Sequence, residues 1–212
     1  MKTIILFFAF IISISAFAND EKYFAQMGKQ VQAVYVAKTI DEYQVAVNAL
    51  DRIANAEKTK WEPYYYAAYG NIMMAIAEKE GSKKDSYLDL ALTAVEKGKE
   101  LAPAESEVVT LEGFAHMIRV TVDPASRGQK YSSLSMQTFG KALSMNPKNP
   151  RALSLLAQMQ LGTARFFNQP PTEACETARK AATIFESPTE SENPFAPRWG
   201  KEMNLGVLQN CK

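Results

Sequence analysis

One pattern recurs along this chain at a fixed offset, and it restricts the fold more than any other feature. The stretch Ala91-x3-Val95-x2-Gly98-x4-Pro103 returns 44 residues later as Ser135-x3-Phe139-x2-Ala142-x4-Pro147. Degenerate copies stand upstream, at Ala46-x3-Leu50-x2-Ile53, and downstream, at Ala174-x3-Ala178-x2-Ala181. A period of this size marks an array of supersecondary units, none of which buries its apolar face alone. The unit is helical. Leu88, Ala91, Leu92 and Val95 fall on one face of a helix, as do Leu153, Leu156, Ala157 and Leu161. No run alternates in the manner of a strand.

Small residues locate the helix contacts. Two antiparallel helices approach closely only where both carry a small side chain. Ala68, Gly113 and Ala157, on the first helix of successive pairs, are expected to face Ala91, Ser135 and Ala174 on the second. Val95 and Phe139 fill the next layer. Pro103 and Pro147 end the second helices, because proline lacks an N–H and clashes with the preceding turn. Thr39 to Glu42 reads as a capping box, and Pro63 and Pro197 suit first turns. Gly81-Ser82 breaks a helical run, and Asp123-Pro124 with Arg127-Gly128 reads as loop. Helices are expected over 20–38, 40–57, 61–79, 84–101, 105–120, 130–145, 149–167, 172–186 and 197–210.

Gly140 to Ala152 (GKALSMNPKNPRA) resembles the end of one tetratricopeptide repeat and the start of the next, and Trp61, Tyr64 and Ala67-Ala68 resemble another start. The resemblance implies an all-α, right-handed helical-hairpin solenoid of about four helix pairs with a C-terminal capping helix. Its units would be 27–60, 61–105, 106–149 and 150–188, with the cap over 197–211, all in one domain, 19–212. The middle units exceed the usual length of about 34 residues by about ten, so longer helices or a projecting loop must absorb the excess. A longer two-helix repeat of the HEAT kind is the alternative, against which the closing prolines argue. In the resembled family the first helices line a concave groove. Position by position this assigns Tyr65 and Tyr69 to the groove, then Thr110, Phe114 and Met117, then Arg151, Ser154 and Gln158. The other reading of the tyrosines is packing against a neighbouring unit or the long loops.

The N-terminus addresses the chain. A positive start at Lys2, an apolar run from Ile4 to Ile12 and the small-x-small end Ala16-Phe17-Ala18 make a secretory leader, residues 1–18. Cleavage before Asn19 leaves no membrane anchor and directs the protein to the periplasm or the exterior. An oxidising compartment permits a disulfide between the two cysteines, Cys175 and Cys211. If the helices near Thr172 and Pro197 pack antiparallel after a reversal over 187–196, both sulfurs come to one end. The bond would then pin Trp199, Met203 and Val207 over the open face of the last repeat.

Charge and motifs exclude several classes. The full chain carries a formal charge of +1, and losing Lys2 with the leader brings it to 0. Nucleic acid, which demands clustered Lys and Arg, is not an expected partner. His116 is the only histidine, so it has no second His for a metal set and is the only candidate base for a serine nucleophile, and Gly-rich phosphate loops are absent; a structural histidine is the expected reading. No catalytic residue, metal or cofactor is assigned, and the chain is read as a binding protein. The first reading is an exported scaffold whose concave surface takes a peptide or protein partner. The alternative is a small-molecule receptor or transporter accessory with an apolar cavity between long helices.

Overall fold

The computed structural model describes residues 21–187 and 193–211. The leader expected over 1–18 lies outside the described residues, as does the middle of the reversal expected over 187–196. The helices are α1 (residues 21–36), α2 (Ile40–Ala56), α3 (Glu62–Ala77), α4 (Gly81–Leu101), α5 (Ser106–Val120), α6 (Pro124–Met145), α7 (Pro150–Phe166), α8 (Thr172–Glu186) and α9 (Lys201–Leu208). No strand occurs among the described residues, and no helix among them is long and apolar enough to cross a membrane.

The hairpins α3/α4, α5/α6 and α7/α8 begin at Glu62, Ser106 and Pro150, 44 residues apart. First helices pack on one another, α3 with α5 and α5 with α7, whereas α4 and α6 do not pack along their lengths and are linked near their starts by the Asp85–Arg127 ion pair. The first helices therefore form a continuous inner layer, with the second helices outside it. Helix α3 is enclosed by α2, α4 and α5, so the consecutive Tyr65 and Tyr66 are both buried. A helix that is apolar all round suits such a position.

Sharp caps set the register. Thr39 Oγ1 accepts the Glu42 N–H, and the Glu42 carboxylate accepts the Thr39 N–H, closing the capping box. Asn149 is fully buried and joins two units. Its Oδ1 accepts the N–H groups of Arg151 and Ala152, and its Nδ2 donates to Ser106 Oγ and Thr110 Oγ1 on the preceding hairpin.

The excess repeat length lies in the second helices. Helices α4 and α6 have 21 and 22 residues, against 16 and 15 for α3 and α5. Two expected breaks are thereby corrected: Gly81-Ser82 opens α4, and Pro124 to Gly128 belongs to α6. Asp123 caps α6 by accepting the Ser126 N–H, and Pro124 follows in the first turn, where its missing N–H has no helical partner to lose. In so long a helix one Gly128, with open space about it, is a small penalty.

Ala68, Ala91, Gly113, Ser135, Ala157 and Ala174 are all buried. Ser135 Oγ donates to the Gly113 carbonyl at 2.9 Å, and a Cβ added at Gly113 would lie 2.5 Å from the Phe139 ring. Gly113→Leu should therefore lower stability by about 1–3 kcal/mol through overpacking. Gly140→Leu, on the exposed side of the next helix with nothing within 4 Å, should leave stability unchanged or raise it, since glycine is a poor helix former. Urea midpoints of the two variants provide the check, and equal midpoints would show that Gly113 is not a contact.

The C-terminus departs from expectation. Helix α9 begins at Lys201, four residues after Pro197, and residues 193–200 run without helix as a strap. Cys175 and Cys211 are joined, with Cα atoms 5.5 Å apart. Val207 packs on Ala157, Leu161, Ala174 and Ala178 of the last hairpin, and Asn204 Nδ2 donates to the Ala178 carbonyl. Trp199 was expected over that same face. Because it precedes the helix, it reaches across α3 and α5 instead.

Candidate functional site

The strap lies along the inner layer and covers much of the concave face. Trp199 stacks on Tyr69 and on Phe114, with ring centroids 5.1 and 5.6 Å away, and its Nε1 donates to Tyr65 Oη at 2.9 Å. Phe195 stacks on Phe24 and meets Tyr23 edge-on. Tyrosine hydroxyls hold the strap backbone between these two anchors. Tyr66 Oη donates to the Phe195 carbonyl at 2.9 Å, and the Arg198 N–H donates to Tyr35 Oη at 3.0 Å. The two hydroxyls lie 3.1 Å apart. Since Tyr66 spends its only proton on Phe195, Tyr35 must donate to Tyr66. The sequence Arg198 N–H, Tyr35, Tyr66, Phe195 C=O thus begins and ends on the strap. Burial holds the phenols of Tyr65, Tyr66 and Tyr69 well above the ordinary tyrosine range, so these hydroxyls stay neutral and keep their donor protons.

The groove assignment therefore needs correction. Tyr65, Tyr69 and Phe114 are 1, 8 and 0 % exposed, and the occupant of their face is the protein's own C-terminal segment. Thr110 and Ser154 are buried as well. Met117 is half-buried against the main core. Gln158 borders a separate shallow depression of about 320 Å³ between α7 and α9. Arg151 alone of the expected groove residues borders the larger opening described next.

That opening is a cleft of about 560 Å³ at the end of the strap. The constant repeat step brings the starts of α3, α5 and α7 to one end of the molecule, where they supply Trp61, Glu105 with Glu107, and Lys148 with Arg151. The end of α8 adds Ile184 and Phe185, and the strap with the first residue of α9 adds Pro194, Pro197, Arg198 and Lys201. Volumes of about 300–1,000 Å³ with apolar walls and a few placed polar groups are usual for small-molecule sites.

The floor is organised by an ion pair between equivalent positions of successive repeats. Arg151 Nε and Nη2 each donate to a Glu107 oxygen at 2.7 Å, and Tyr65 Oη points to the same carboxylate at 3.5 Å. Glu107 reads as a surface residue from the sequence, yet it is only 8 % exposed. The fork geometry of an arginine–carboxylate pair fixes the guanidinium plane. Although burial opposes the charge, the adjacent Glu107 holds the Arg151 guanidinium above its ordinary range. Burial pushes the neighbouring Glu105 carboxyl up. Gly200 packs against two of the lining side chains, Arg151 and Phe185. Its φ of +106° is left-handed, and a Cβ there would lie 3.0 Å from both Arg151 Cγ and Phe185 Cζ, so only glycine fits.

His116 lies away from the cleft, stacked on Tyr131 with its Nδ1 buried and unpartnered. Burial lowers its pKa from the ordinary histidine value. No cluster of three or more metal-ligating side chains occurs among the described residues.

No protein-family model matches the chain, and no curated protein matches it in sequence. A solved structure does. The HusA haemophore from Porphyromonas gingivalis superposes with a TM-score of 0.80 at 30% identity, covering 90% of this chain and 92% of that one. The chain belongs to the HusA haemophore family. The stacked hairpins seen here are thus those of a haemophore family. The sequence-level likeness to tetratricopeptide repeats describes their local packing and is matched by no family model.

Sequence reasoning missed the strap, Phe185 and the rim cations. One signal was legible. Asn193-Pro-Phe-Ala-Pro-Arg-Trp-Gly200 places two prolines and two large aromatics in eight residues, a composition for an extended segment with anchors rather than for a helix turn.

Proposed function

We propose that this protein is an exported carrier of a haem-type tetrapyrrole, held in the cleft between the strap and the starts of α3, α5 and α7. The observation that carries this reading is the coincidence of haemophore kinship with a cleft of about 560 Å³ walled by Trp61, Phe185, Pro194 and Pro197. Flat aromatic and prolyl walls suit a flat conjugated ring, which gains from stacking and from loss of apolar surface to water. Among the described residues the lining contains no His, Met, Cys or Tyr; what it offers a ligand is aromatic and prolyl surface with basic side chains. The leader expected over residues 1–18 fits a carrier that works outside the cytoplasm. A peptide scaffold is the weaker reading, because the face it would use is taken by the strap.

Haem added to the mature protein, residues 19–212, should produce a saturable shift of its main absorption band and quench tryptophan emission. The joint replacement Trp61→Ala and Phe185→Ala should weaken binding by about tenfold or more, the loss of two contacts of about 1 kcal/mol each. Absence of saturation, or affinity untouched by these substitutions, would reject the site.

A further inference from the structure

We propose that the cleft selects its cargo by carboxylate groups, which Lys148, Arg198 and Lys201 bind at the mouth. The inference rests on the carrier reading above and specifies what the site demands of the ligand beyond a flat apolar ring.

The argument starts from which charges are already satisfied. Several basic side chains of the protein pair with acids: Lys83 with Glu80, Lys97 with Glu100, Lys99 with Glu96 and Glu112, Arg119 with Asp89, Arg127 with Asp85 and Arg151 with Glu107. Lys148, Arg198 and Lys201 form no ion pair among the described residues. They come from the turn before α7, the strap and the start of α9, and the fold brings all three to one cleft.

Among the described residues the acids of the same cleft, Glu105 and Glu107, are outnumbered by its cations. Glu107 is held in the fork of Arg151 and approached by Tyr65. Glu105 is turned into its own helix, where a carboxylate oxygen accepts the Glu107 N–H at 3.0 Å. Among the described residues the cleft therefore has four cations, one of them paired, and two carboxylates, a balance that favours a ligand bearing negative charge. A partly enclosed site strengthens that attraction over the value on an open surface. Position agrees with charge. All three cations are exposed, whereas Trp61, Phe185 and Pro197 are half-buried and the Arg151–Glu107 pair is nearly enclosed. A ligand with an apolar body and a carboxylate edge would seat ring-first, leaving its charges where they need not be desolvated.

The test compares haem with haem dimethyl ester, which keeps the ring and the iron and loses both charges. The wild-type protein and a Lys148→Gln/Arg198→Gln/Lys201→Gln variant are titrated with each, and melting temperatures confirm that the exposed replacements leave the fold intact. Wild type should bind the acid about tenfold more tightly than the ester. The variant should bind both alike, at the affinity of wild type for the ester. In wild type the preference should shrink at about 1 M salt, where the screening length falls to about 3 Å. Equal affinity of wild type for acid and ester, or a preference that survives in the variant, overturns carboxylate selection and leaves the carrier reading standing. Failure of wild type to bind either compound removes the carrier reading, and this inference with it.

Discussion

Replacing Glu107 by leucine should destabilise the protein by about 3–5 kcal/mol, because it leaves the Arg151 guanidinium buried without its counter-charge. The two side chains are only 10 and 12 % exposed, so water replaces the lost hydrogen bonds poorly. For a chain of this length the loss corresponds to a fall in melting temperature of roughly 6–20 °C. The double replacement Glu107→Leu/Arg151→Met should recover most of it, since apolar residues of similar volume in place of a whole buried pair are often neutral or stabilising. Thermal unfolding of the two variants decides the matter. A single variant as stable as wild type would mean that the pair is not buried in solution. A double variant no better than the single would mean that the loss came from packing rather than charge.

Trp199→Ala should have an effect of the same order, about 3–5 kcal/mol for emptying a large buried aromatic site. Two stacked contacts go, to Tyr69 and Phe114, together with the hydrogen bond to Tyr65. Its consequence is more specific than lost stability. With the anchor gone, the strap should lift from the inner layer and expose Tyr65, Tyr69 and Phe114 to solvent. Binding of a dye sensitive to apolar surface should rise in the native baseline, before any global unfolding. Trp199→Phe keeps the stacking and loses the N–H, so it should cost about 1 kcal/mol, the value of one hydrogen bond, and leave dye binding low. If Trp199→Ala unfolds in one step with no dye signal beforehand, the strap belongs to the same cooperative unit as the hairpins. If it changes neither stability nor dye binding, the strap does not occupy the concave face.

The helical class and the spacing of the hairpins were legible because both are local. Helical periodicity needs only neighbours three and four residues apart. A 44-residue recurrence needs only self-comparison. Small residues such as Gly113 and Ser135 stand out because every copy of the unit meets the same steric demand. The leader expected over residues 1–18, which lies outside the described residues, is likewise an expectation from a contiguous stretch. Boundaries fared worse where two signals competed. Gly81 and Gly128 are breakers by propensity, yet Gly81 is the first residue of α4, and Gly128 lies inside α6, whose length and Asp123 cap outweigh one unfavourable residue.

The candidate site was legible only in fragments. Arg151 was expected in the concave groove from its repeat position; it lies instead at the cleft at the end of the strap. Glu107, at the same position one unit earlier, was taken for a surface acid, because burial of a charge depends on a partner 44 residues away. Tyr65 and Tyr69 were assigned to an open groove, as they would be if the solenoid ended at its hairpins.

By itself, then, the sequence determined what short-range rules control: an all-helical chain, its repeat period and its close helix contacts. Tertiary structure alone decided what fills the concave face and where a cleft remains. Those outcomes depend on a segment near residue 199 meeting side chains near residue 65, a separation of 134 along the chain. No local pattern encodes such a meeting. It follows from the apolar area that Trp199 and Phe195 bury, and from tyrosine hydroxyls already in position to receive an extended backbone.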